Sequence, residues 1–156
     1  MKELEESQIG MSSANSIHNY LQSELDFAIK NIFKNSSELK KNYLMFVEEA
    51  VNDDRNGQKP DISIKDKKSR ETVLIIEITG TKSEEDQKAI KYRDNKEPVK
   101  LNFTNAEILV YDYTSLTWYK VNKKGTLEKN GFCKFLEIDL YDITLNIEID
   151  KEYFEQ

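Results

Sequence analysis

The residues of this chain with the types and spacing to do chemistry are two carboxylates and a lysine. Asp61 follows Pro60 and opens the alternating stretch Asp61-Ile62-Ser63-Ile64. Glu77 is the single charge in Leu74-Ile75-Ile76-Glu77-Ile78-Thr79. A carboxylate inside so apolar a strand is costly unless something positive meets it. Two carboxylates from neighbouring strands, with a backbone carbonyl such as that of Ile78, make the hard oxygen set that magnesium prefers. Manganese could substitute. An ion held there polarises a phosphoryl oxygen and acidifies a bound water, which is the chemistry of phosphodiester hydrolysis.

Such a reaction also wants a cation near the attacking water and the developing charge. The simplest pattern would place a lysine two residues after Glu77, where this chain has Thr79. Lys88 is the best substitute, ahead of Lys82 and Lys91. Glu84, Lys88 and Tyr92 recur every four residues and so share one helical face. His18, Glu49, Glu84 and Tyr92 are accessory candidates. Each has an ordinary reading as well. Asp61 could be a turn residue, and Glu77 could be half of a structural ion pair. Lys88, Glu48 and Glu49 could be plain solvated charges. His18, the single histidine, could simply pack beside an apolar stripe.

The elements that must position these groups follow from periodicity. Ala14, Ile17, Leu21, Leu25, Ala28 and Ile32 recur at threes and fours and predict a helix over 14–33, ended by Asn35-Ser36-Ser37. Strands are predicted over 43–51, 61–65 and 72–79, with a charged hairpin loop over 65–70. The third strand is apolar on both faces, as a covered central strand should be. A helix over 83–95 follows, opened by Ser83 and Asp86. Further strands are expected over 105–113, 116–121, 126–128 and 132–138. Residues 143–149 alternate and read as a strand or an extended segment. This order predicts an α/β (α+β) fold, a mixed β-sheet flanked by helices. Residues 1–12 read as a flexible lead, 13–150 as a single domain and 151–156 as a tail.

Composition narrows the field. The chain has 156 residues, 38% hydrophobic and 33% charged, with a net charge of −6. That balance speaks against a broad non-specific nucleic-acid coat, yet it allows a local basic groove. The lone Cys133 permits no internal disulfide and suits a reducing, cytoplasmic setting. It reads as a small buried hydrophobe. No stretch is apolar for the 18 or so residues a membrane span needs, and the acidic start is unlike a signal peptide. Tyr111, Tyr113, Trp118 and Tyr119 form an aromatic strand pair, read as core or as a homodimer contact before base stacking.

Taken in order, these motifs resemble the Uma-two-like family of restriction endonucleases, a branch of the PD-(D/E)XK nuclease superfamily. The likeness covers roughly residues 11–150. It is carried by Ser13 to His18 before the first helix, by Pro60-Asp61, and by Ile76-Glu77-Ile78 with the Thr79-Gly80-Thr81 turn. Glu84, Lys88 and Tyr92 carry it further, as does Ala106-Glu107-Ile108-Leu109-Val110-Tyr111-Asp112. In that family the lysine has moved onto the helix. The turn departs from the usual Ser-Pro, and Glu84 stands where Asp is usual. The resemblance implies a restriction-endonuclease-like fold and a magnesium-dependent DNA endonuclease. Asp61 and Glu77 would hold the metal and Lys88 would assist the water. Two rivals remain: a nuclease-fold module without cleavage that binds nucleic acid or protein, and a purely oligomeric interaction protein.

Overall fold

The computed structural model describes residues 2–48, 59–80, 106–122, 124 and 126–150, with side chains from residue 16 onward. Helix α1 spans Lys2–Lys34. It therefore starts well before the expected residue 14 and runs through the stretch read as an acidic lead. Its apolar stripe keeps the predicted Ile17, Leu21, Leu25 and Ile32, but the third fully buried residue is Ile29 in place of the expected Ala28, and Phe33 packs beside it. Ser36 does more than end α1. It caps a second helix, α2 (Ser37–Asn42), its hydroxyl accepting the Leu39 N–H at 3.2 Å. The cap satisfies a helix-end donor that would otherwise be orphaned.

Six strands form one mixed sheet in sequential order. They are β1 (Tyr43–Val47), β2 (Ile62–Asp66), β3 (Thr72–Thr79), β4 (Glu107–Asp112), β5 (Thr117–Val121) and β6 (Leu127–Lys129). Only β3 and β4 pair in parallel; the other neighbours are antiparallel. This is the predicted mixed α/β (α+β) class, consistent with a restriction-endonuclease-like architecture. Residues 81–105, between the parallel strands, lie outside the described residues, and so does the helix expected over 83–95. Among the described residues no helix is long and apolar enough to cross a membrane.

The sheet is covered on both faces. Ile62, Ile64, Leu74, Ile76, Ile78, Leu109 and Tyr111 join the α1 stripe in the main core, while Ile75, Ile108 and Val121 form a second cluster. Seven of the eight β3 residues are buried. Each fully buried isoleucine or leucine contributes about 1.5–3 kcal/mol, so the strand stays in place although it also buries the Glu77 carboxylate.

Two expectations about the C-terminal third are corrected. Residues 132–138 do not continue the meander. They form a small separate hairpin, β7 (Phe132–Cys133) with β8 (Ile138–Asp139). The Glu107 carboxylate causes the bend by accepting the Lys134 and Phe135 amides at 2.7 and 2.9 Å, donors that an extended strand would spend on a ladder. Nor is 143–149 a strand. Asp139 caps helix α3 (Leu140–Thr144) by accepting the Tyr141 N–H at 3.0 Å. Ile143, Ile147 and Ile149 all pack on the core, whereas Leu145 is exposed. Leu140 and Ile143, three apart, were the helical signal beneath the alternation, and Ile147 lies past the end of the helix.

The aromatic strand pair belongs to the core. Trp118 is fully buried, its ring 4.8 Å from that of Tyr111 and its Nε1 donating to Thr144 Oγ1 at 3.2 Å.

Glu107 also accepts from Lys120 Nζ at 2.8 Å, which ties β4 to β5. Burial would raise its carboxyl, but the Lys120 ammonium and the two amides outweigh burial and hold it below the usual glutamate range. The folded protein thus binds fewer protons there than the unfolded chain. The stability gained is fully present above the usual glutamate range and is lost as pH falls through the depressed value. Glu107→Ala should cost about 2–4 kcal/mol in urea unfolding, because it strands Lys120 and two amides. That deficit should shrink at acid pH, where wild type loses the same contribution.

Candidate active site

Asp61 sits one residue before β2. Pro60 ahead of it is buried and has no N–H to satisfy. The antiparallel register pairs Ile62 with Ile76, which sets residue 61 across from Glu77. The two acids meet at this strand end. The Asp61 N–H donates to Glu77 Oε1 at 3.2 Å, and Asp61 Oδ2 accepts the Ile78 N–H at 2.7 Å. Asp61 is 8% exposed and Glu77 2%.

Helix α1 supplies the rest. His18 Nε2 lies 3.0 Å from Asp61 Oδ1, so this nitrogen carries a hydrogen. One turn further along, Gln22 Nε2 donates to the Asp61 carbonyl at 2.8 Å. The Glu48 N–H, at the end of β1, donates to the same carbonyl at 3.2 Å. Every polar group of Asp61 is therefore engaged, and by three different elements. This arrangement turns a plain strand opening into a fixed point. It also explains how two carboxylates are buried close together: backbone and side-chain donors replace the water each has lost.

The structure thus brings together three of the residues singled out from sequence, His18, Asp61 and Glu77; at Ile78 it is the N–H, not the carbonyl expected as a ligand, that meets Asp61. Lys88, Glu84, Tyr92 and Glu49 lie outside the described residues, as do Lys82 and Lys91. Glu48 is exposed. Gln22 was missed. Its signal was its place on α1, four residues from His18, where both side chains reach the same target.

The donor set suits a hard divalent ion in kind. Two buried carboxylates at neighbouring strand ends match magnesium's habit of taking one or two carboxylates and completing its shell with water. Among the described residues no cluster of three His, Cys, Asp or Glu side chains could hold a metal by itself.

Gly80 and Cys133 have their own structural reasons. Gly80, just beyond β3, lies against the Tyr113 ring; any Cβ there would run into that ring. Close approach, rather than turn geometry, fixes glycine at this position. The single cysteine is inert. Cys133 is buried, and burial above all, with the nearby Glu107 charge, pushes its thiol up to about 12. A thiol so placed is not the thiolate that catalysis needs.

No protein-family model matches the chain, and no curated protein matches it. The site therefore rests on its own geometry.

Two outcomes follow. Iodoacetamide near neutral pH should label native Cys133 at least about tenfold more slowly than the urea-unfolded chain, as read by mass spectrometry. Gly80→Ala should lower the thermal midpoint by the equivalent of about 1–3 kcal/mol, because Tyr113 must move.

Proposed function

We propose that the protein is a divalent-metal-dependent DNA endonuclease. The observation that supports this reading is the meeting of Asp61 and Glu77, buried and joined through one backbone N–H, at the mouth of β2 and β3. The ordered likeness to Uma-two-like nucleases points the same way. In this reading Asp61, Glu77 and the Ile78 carbonyl hold Mg²⁺, or Mn²⁺ in its place. When bound, the ion supplies positive charge to a phosphoryl oxygen and to a water. His18 and Gln22 act as positioning residues, since they hold Asp61 and do not themselves touch the substrate. Lys88 orients the water or stabilises the charge that builds on phosphorus. A reducing compartment such as the cytoplasm suits the single buried thiol.

The test is cleavage of plasmid and single-stranded DNA in Mg²⁺ or Mn²⁺. Asp61→Ala and Glu77→Ala should each lower the rate at least about a hundredfold, with circular dichroism showing that the variants remain folded. Lys88→Ala should lower it while leaving metal affinity unchanged. Cleavage that survives both acid substitutions overturns the reading.

One observation favours a rival. Asp61 Oδ1, Asp61 Oδ2 and Glu77 Oε1 each already meet a protein donor. A pair so well satisfied could be purely structural, in a nuclease-like module that binds nucleic acid or protein without cutting. Calorimetry separates the two. Heat of Mn²⁺ binding that disappears in Glu77→Gln supports the endonuclease, and no heat in the wild type supports the silent module.

A further inference from the structure

β1 and β6 are the outer strands of the sheet, and they are built differently. β6 is three residues long and carries Glu128 and Lys129, both exposed. A short, charged edge is the usual protection against unwanted pairing. β1, Tyr43-Leu44-Met45-Phe46-Val47, has none of it: no charge, no proline, and no shift of register against β2. Leu44 is 48% exposed and Val47 42%. Among the described residues no strand lies beyond β1.

The backbone says how this edge would pair. The Glu48 N–H donates to the Asp61 carbonyl at 3.2 Å, and the Asn42 carbonyl accepts the Lys67 N–H at 2.9 Å. The even-numbered residues therefore turn their peptide groups to β2. Alternation points those of Tyr43, Met45 and Val47 outward. The Tyr43 N–H is taken by the Leu39 carbonyl at the end of α2. Left over are donors at Met45 and Val47, with acceptors at Tyr43 and Met45.

Charge selects the partner and its direction. Lys40 and Lys41 form the basic last turn of α2, just ahead of the strand, and the exposed Glu48 follows it. A second β1 running antiparallel brings each basic end beside the other's acidic end. A parallel one would set like charges together.

We infer that β1 is a homodimer edge: two copies pair β1 to β1, antiparallel, with Met45 on the two-fold axis. Each Met45 N–H donates to the Met45 carbonyl of the other copy, and each Val47 N–H to the other's Tyr43 carbonyl. Leu44 then faces Phe46 of the second copy, and Val47 faces its Tyr43, aliphatic–aromatic pairs of the kind that stabilise sheets. The interface is self-complementary and closes at two copies. An acid corner lies at each end of the seam, because the Glu48 N–H at the end of β1 holds the Asp61 carbonyl.

Light scattering on the full chain should give the mass of two chains, falling towards one on dilution. Val47→Lys puts a charge on this edge at an already exposed position. It should raise the dissociation constant at least about tenfold, with circular dichroism unchanged. Cysteine substitution reads the register. Only at the axis do equivalent residues face each other, with Cα atoms about 5.5 Å apart and within reach of a disulfide. Mild oxidation should crosslink Met45→Cys. Leu44→Cys is more exposed but lies about 8 Å from its equivalent, and should crosslink at least about tenfold less. A single-chain mass at every concentration, a dimer indifferent to Val47→Lys, or equal crosslinking at the two positions overturns the inference. It fails separately from the endonuclease reading: a monomer leaves the acid pair untouched, and a dimer that cuts nothing leaves this edge in place.

Discussion

Everything at the acid-bearing end of the sheet depends on how residue 61 is held. An aspartate at the mouth of a strand is ordinarily a hydrated surface group. Here its carbonyl, its amide and both carboxylate oxygens are taken by α1, β1 and β3. Water is thereby replaced by oriented protein dipoles, which cost nothing to reorganise once the fold exists. The same bonds fix α1 against the sheet through polar contacts, where the Leu21, Leu25 and Ile29 stripe fixes it through apolar ones. Site and scaffold are thus one construction at this corner.

A partly buried carboxylate elsewhere in the fold solves the same problem for the scaffold alone. Glu107, at the other end of β4 from the acid pair, meets an ammonium and two amides and becomes a clamp between β5 and the β7–β8 hairpin. Asp112 does likewise at the far end of the strand. Its two oxygens collect the Thr114 and Ser115 donors and set the β4–β5 turn, in which Leu116 takes a positive φ of 55°. The contrast marks what is unusual in Asp61 and Glu77. Among these acids they alone meet each other across two strands.

Much of this was legible in the residues. The fully apolar β3, with one charge inside it, announced a covered central strand and a carboxylate needing a reason. The period of α1 announced its buried stripe. Where reading failed, tertiary contacts or an unread cap had overruled local pattern. Glu107 bent a plausible strand into a hairpin, and an Asp139 cap opened a short helix that takes in the first two residues of the alternating segment. The Asp139 cap, two residues from its donor, is a local signal, whereas the Glu107 donors lie far along the chain and are invisible in sequence. Gln22 was hidden for a similar reason: a glutamine on a helix is unremarkable until the strand opening it holds comes into view.

The sheet's order carries one more consequence. β1, β2 and β3 form one antiparallel run, β4, β5 and β6 form another, and the parallel β3–β4 pair is the seam between them. Each run is built from neighbours along the chain, whereas the seam joins strands separated by residues 80–106. Closing that longer loop carries the larger entropic toll, which gives the two halves reason to organise before they dock. The seam also passes directly beside Glu77, paired there with Val110. Assembly of the acidic corner is thus tied to the step at which two half-sheets become one.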